Sequence, residues 1–109
     1  MATNYKVLGQ VEPAAETLTT VYTVPAATET VVANICITNV SSAPSLFRIA
    51  VRANGDSIED KHYIVYDAAI DAYSYEFITM PITVDATDVI SVYSSTGTVS
   101  FNVFGSEIS

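Results

Sequence analysis

The stretch from Thr30 to Val40, Thr-Val-Val-Ala-Asn-Ile-Cys-Ile-Thr-Asn-Val, constrains the fold more than any other, because it alternates yet stays apolar enough for mid-sheet. Side chains along a strand take opposite faces in turn. Strict alternation puts Val31, Ala33, Ile35 and Ile37 on a core face and Val32, Asn34, Cys36 and Thr38 on the other. The second face is small, uncharged and mixed. That composition suits contact with another protein surface better than bare solvent.

Runs of β-branched and aromatic residues, separated by Gly, Pro, Asn, Asp and Ser, recur at the spacing of a sandwich or barrel, and no convincing helix interrupts them. Tyr5 to Val11 is the first, with Gly9 as a bulge or close-approach point. Thr17 to Val24 follows, with Leu18, Thr20, Tyr22 and Val24 on one face, and Pro25 stops it. After the central strand, Ser45 to Ala53 alternates most cleanly, with Phe47, Ile49 and Val51 inward and Arg48 and Arg52 outward. Asn54-Gly55 then marks a turn whose residues tolerate positive φ.

Lys61 to Ala68 sets Tyr63 and Val65 against His62, Ile64 and Tyr66, so neither face is plainly aqueous. Tyr75 to Val84 carries Pro81, which argues for an edge or a bend, and its Met80, Ile82 and Val84 share one face. Val89 to Ser94 and Val99 to Ile108 complete the set, the last with Val99, Phe101 and Val103 inward. The expected fold is all-β: a single-domain antiparallel β-sandwich over residues 1–109, jelly-roll-like, with about eight strands.

Charge narrows the function. The 109 residues are 50% hydrophobic and 15% charged, against about 25% charged in ordinary soluble domains. A small domain with so few charges exposes much uncharged surface, and burial between subunits resolves that, the alternative being a monomer kept soluble by a cover of Thr and Ser hydroxyls. Twelve acidic residues face four basic ones, a net charge of -8. Lys6, Arg48, Arg52 and Lys61 cannot form the basic stripe that nucleic acid requires. No run approaches the roughly 20 apolar residues of a membrane-spanning helix, and the N-terminal residues lack the pattern of a secretory signal. A soluble, unexported chain without nucleic-acid or membrane partners is expected.

Chemistry finds little purchase. His62 is the one histidine, which restricts catalytic schemes sharply and leaves no multi-His metal site to be built within the chain; a structural place at the start of a strand is expected. Cys36 sits mid-strand with no local base and reads as an inert buried or interfacial thiol. Asp56/Glu59/Asp60, Asp67/Asp71 and Asp85/Asp88 lack EF-hand spacing and read as turn formers, caps or solvated charge. No catalytic, cofactor or metal residue is therefore assigned. The candidates for protein contact are Arg48, Arg52, Tyr63, Tyr66 and Tyr75, residue types that anchor interfaces.

Tyr5-Lys6-Val7-Leu8-Gly9-Gln10, Leu18-Thr19-Thr20-Val21-Tyr22-Thr23-Val24-Pro25, Phe47-Arg48-Ile49-Ala50-Val51, His62-Tyr63-Ile64-Val65-Tyr66-Asp67 and the end Ser100 to Ile108 together resemble small structural proteins of tailed bacteriophages, notably those of cyanobacteria. The resemblance implies a non-enzymatic virion protein, made in the host cytoplasm. It would be a capsid decoration or cement protein that assembles with itself as a homo-oligomer, a trimer being one option, and binds major capsid or tail proteins. A tail, baseplate or fibre component is the alternative, with glycan or receptor binding as one form of it.

Overall fold

The β-branched runs become nine strands in a computed structural model that describes residues 2–109. They are β1 (Thr3–Val11), β2 (Thr19–Thr23), β3 (Glu29–Asn39), β4 (Ser45–Arg52), β5 (Tyr63–Ile70), β6 (Tyr75–Ile78), β7 (Ile82–Val84), β8 (Val89–Ser94) and β9 (Val99–Ile108). One antiparallel sheet runs β1-β9-β3-β6, with β7 also on β3, and the other runs β2-β8-β4-β5. The pairing is nested: β4 with β5, β3 with β6 and β7, β2 with β8, β1 with β9. The domain is thus an all-β, two-sheet antiparallel sandwich. Pro81 interrupts the edge strand between β6 and β7, as its missing amide hydrogen requires.

Both sheets contribute to one core. From the first come Val32, Ile35, Ile37, Val99, Phe101 and Val103, and from the second Phe47, Ile49, Ile90 and Val92. Phe47 and Phe101 meet edge-on across the sandwich, with ring centroids 6.2 Å apart. The expected inward set of β9 is the observed one, and Phe47 and Ile49 of β4 are buried as expected; Val51 packs against the core but is only partly buried, while Ala50 on the opposite parity is fully buried. Asn54 and Gly55 both take positive φ, at 57° and 67°.

The expected faces of β3 hold only in its second half. Against β9, the register shifts between Val32 and Asn34, so Ala33 is an extra residue in the ladder. Such a bulge reverses the parity of everything before it. Ile35 and Ile37 are buried as expected, but their companions are Thr30 and Val32, while Val31 is half-buried and Ala33 exposed. Asn34, Cys36 and Thr38 do lie on the outer face. β2 likewise shifts between Thr20 and Tyr22, which separates Thr20, exposed, from buried Tyr22. Met80 does not share the face of Ile82 and Val84; it lies in the break between the two strands and is exposed.

Two glycines let backbones meet where the bulges occur. A Cβ on Gly9, beside the shift in β1, would run into the Val21 carbonyl of β2, which closes one side of the sandwich. A Cβ on Gly105 would run into the Val31 carbonyl next to the bulge of β3.

A polar chain ties the sheets together at the same end. Buried Tyr22 of β2 donates to Glu107 Oε2 at 2.6 Å, Thr30 Oγ1 lies 2.8 Å from the Tyr22 hydroxyl, and Lys6 Nζ donates to Glu107 Oε1 at 3.0 Å. The Tyr22 hydrogen bond, followed by that of Lys6, holds the Glu107 carboxyl below its ordinary range. Burial, with the adjacent carboxylate adding to it, pushes the Tyr22 phenol up to about 12.

Two outcomes are expected. Val32→Ala costs about 2 kcal/mol and Ile35→Ala about 2–5 kcal/mol, whereas Val31→Ala costs about 1 kcal/mol or less; urea midpoints give the order, and equal losses at 31 and 32 contradict the bulge. The Tyr22–Glu107 pair acts on both pH limbs. The lowered carboxyl contributes stability that is present above its unfolded value and lost as pH falls through its folded one. The raised phenol contributes stability that is present below its unfolded value of 10.0 and lost as pH climbs towards about 12. Tyr22→Phe therefore lowers stability at neutral pH and flattens both limbs in a pH series of thermal melts.

Candidate functional site

The outer face of the β2-β8-β4-β5 sheet brings together residues that lie far apart in the sequence. In β4, Phe47 and Ile49 point into the core, so Arg48 between them must point out, where it pairs with Tyr93 of β8. On its other side β5 supplies partners through an irregularity. The β4–β5 register jumps between Phe47 and Ile49, and residues 66 and 67 fill the gap between Val65 and Ala68. Asp67 there takes a φ of 52°, a conformation that Asp adopts more readily than most residues. A bulge re-aims side chains, and this one accompanies Tyr66 and Asp67 beside Arg48.

The guanidinium is held on three sides. Its Nε donates to Asp67 Oδ1 at 2.6 Å and its Nη2 to Oδ2 at 3.4 Å. Its carbon lies 4.2 Å from the Tyr66 ring centroid and 4.1 Å from that of Tyr93, with Tyr63 farther off at 6.0 Å. Tyr63 and Tyr66 meet edge to face at 4.9 Å. The Asp67 hydrogen bond raises the Arg48 pKa further above its already high value. The side chains of Arg48 and Asp67 are 21% and 36% exposed, so solvent screening limits the ion pair to about 1 kcal/mol or less, and each ring adds about 0.5–1 kcal/mol. The arrangement orders the side chains more than it stabilises the fold. Beside it, Asp60, Tyr63 and Tyr66 line an open pocket of about 370 Å³.

Of the five residues that the sequence nominates for contact, Arg48, Tyr63 and Tyr66 form this cluster. Arg52 lies on the same face but is engaged elsewhere, with Nε to Ser91 Oγ at 3.3 Å and Nη1 to the Asp56 carbonyl at 2.9 Å, anchoring the loop after β4. Tyr75 lies on the other sheet, tilted against Phe77 at 5.2 Å. Tyr63 and Tyr66 are not on opposite faces, as strict alternation requires, because the β5 irregularity intervenes. β5 itself begins at Tyr63 and not at Lys61, since Asp60–His62 forms a single 3-10 turn. Tyr93 and Asp67 are the members that sequence reasoning missed. Tyr93 was legible as an outward position of β8; Asp67 was not, since it depends on the bulge.

His62 has the structural place expected of it: it is buried, and its Nδ1 accepts from the Glu59 amide at 2.9 Å in the turn that precedes β5. Asp85 and Asp88 are turn formers, Asp85 Oδ1 accepting from the Ala86 amide and Asp88 from the Asn54 and Asp85 amides. Cys36 has the Thr38 hydroxyl 3.9 Å from its sulfur. Among the described residues, no three His, Cys, Asp or Glu side chains converge as a metal set would. Comparison with protein families, with characterised proteins and with solved structures finds no match.

Substitutions at Asp67 separate backbone from charge. Asp67→Asn keeps a residue that tolerates positive φ and loses the ion pair, for a cost of about 1 kcal/mol or less. Asp67→Ala adds about 1 kcal/mol for the left-handed backbone. Chemical denaturation of the two variants checks the order.

Proposed function

We propose that the chain is a non-enzymatic virion structural protein, a capsid decoration or cement protein that binds its shell as an oligomer. The observation that carries this reading is the pre-ordered Arg48–Tyr63–Tyr66–Tyr93 cluster on an exposed sheet face. Tyr and Arg dominate the energetic centres of protein interfaces, and side chains already held in place lose less entropy on docking. The nested strand pairing within the two-sheet sandwich is compatible with a jelly-roll wrapping, and it supports the resemblance to phage structural proteins seen in the sequence. Low charge supports it too: a chain with 15% charged residues has uncharged surface to bury against neighbours.

A second reading places the domain in a tail, baseplate or fibre, where it recognises a glycan. The pocket of Asp60, Tyr63 and Tyr66 favours it, since aromatic faces and a carboxylate are the groups that stack on and hydrogen-bond to a sugar ring.

Binding of the purified chain to shells assembled from the major capsid protein of the phage that encodes it tests the first reading. Arg48→Ala and Tyr66→Ala are expected to weaken binding by about 2 kcal/mol or more each, roughly thirtyfold. Particle imaging with hundreds of shell-bound copies supports the reading, whereas a ring of copies confined to the tail, together with glycan-array hits abolished by Tyr63→Ala, replaces it with the second.

A further inference from the structure

We propose that the outer face of the β1-β9-β3-β6 sheet is the surface through which two copies of this chain pair, face to face. The inference rests on the self-assembly part of the reading above and not on the shell partner. Register defines the face: in antiparallel pairs, opposed residues share a side, so Tyr5 and Val7 of β1, Phe104 of β9, Cys36 of β3, and Tyr75 and Phe77 of β6 all point outward. Five of these are large and exposed, Tyr5 at 85%, Tyr75 at 64% and Phe77 at 54%.

What identifies the occupant is charge. From the row Tyr5–Ser106–Val31–Thr83 to the row Ser100–Thr38–Tyr75, the outward positions include no Asp, Glu, Lys or Arg. Glu12, exposed just past the end of β1, and Glu29, one row outside at the other end, stand at the margins of this face, Lys6 and Glu107 pair with one another on the opposite side, and Glu76 is in register with inward Ile37. The other sheet's outer face, by contrast, carries Arg48, Arg52 and Asp67. For a molecule of net charge -8, this is a face on which two copies touch without opposing like charges, and it offers no carboxylate to hold a basic partner. Self-complementarity of one patch is what a two-fold dimer requires.

Four strands about 4.8 Å apart and about seven residues of about 3.3 Å give a footprint of roughly 20 × 23 Å, hence about 900 Å² for both copies. That is close to the 1,000 Å² floor for a specific interface, so a reversible, concentration-dependent dimer is expected.

Sedimentation velocity over a concentration series decides the matter. The unsubstituted chain is expected to pass from monomer to dimer and to associate more tightly as NaCl is added, because salt screens the repulsion between two acidic copies. Phe77→Glu and Tyr75→Glu place like charges in the contact and are expected to stay monomeric at every concentration, while Tyr66→Ala on the opposite sheet dimerises unchanged. Cys36, half-buried on this face, gives a readout without any variant: its alkylation is expected to slow as protein concentration rises. If the charged variants lose the fold by circular dichroism, the Cys36 rates decide alone. A monomer at all concentrations, a trimer, a dimer loosened by salt, a Phe77→Glu dimer as tight as the parent, or a Cys36 rate independent of concentration each overturns the proposal. Shell binding is a separate outcome: a face-paired dimer that ignores shells defeats the reading above and leaves this one intact, and a monomer that binds shells does the reverse.

Discussion

The extra residue at Ala33 is the constraint on which much of this sandwich depends. β3 is the strand that holds β9 on one side and β6 with β7 on the other, so its parity sets the parity of its whole sheet. With Ala33 inserted, Thr30 turns inward to meet Tyr22 and Val32 enters the core, while the second half keeps Ile35 and Ile37 there. Without the insertion, one half of the strand would present its apolar residues to solvent. The partner strand carries the matching requirement, because β3's backbone passes so close to Gly105 that no side chain fits.

The same end of the sandwich is then locked by polar groups. Tyr22, Thr30, Glu107 and Lys6 join β2, β3, β9 and β1 in one hydrogen-bonded chain, a link between sheets that burial alone does not specify. At the other end Asn39, almost fully buried, uses its whole capacity: its amide donates to the Ala43 and Asp71 carbonyls and its oxygen accepts from the Ser41 amide and the Thr98 hydroxyl. Each polar end accepts one partner geometry, where an apolar core tolerates several packings. Among the described residues, no buried side-chain nitrogen or oxygen lacks a partner.

How much of this was legible follows from where the period of two survives. β4 alternates from Ser45 to Ile49 and β9 from Val99 to Val103, and there the sequence pattern and the buried set agree, whereas Ala50 of β4 and Ser91 of β8 are buried on the outward parity. Bulges in β1, β2, β3 and β5 break the period; those of β1, β2 and β3 depend on strands remote in sequence, and that of β5 on its pairing with the preceding β4. Gly9 announced its bulge because a missing side chain is visible in the sequence; Ala33 and Val21 carry no such mark. For the candidate site the consequence is concrete. Arg48 was legible from β4, whereas its closest charged partner, Asp67, reads as a turn former, cap or solvated charge until β5 is laid against β4 with its irregularity.

The two outer faces of this weakly charged acidic chain differ in kind. On one, Arg48 is neutralised within the molecule by Asp67 and flanked by Tyr66 and Tyr93, so its desolvation in the proposed docking is already partly compensated. On the other, the strands present amides, hydroxyls and aromatic rings with no charge to strip of water at all. The acidic excess is left to turns and margins, where Asp85 and Asp88 shape loops and Glu29 stands at the rim. Charge in those places keeps separate copies apart by long-range repulsion without entering either face. In the proposed pairing, association is then governed by short-range contact, which only a matched surface supplies.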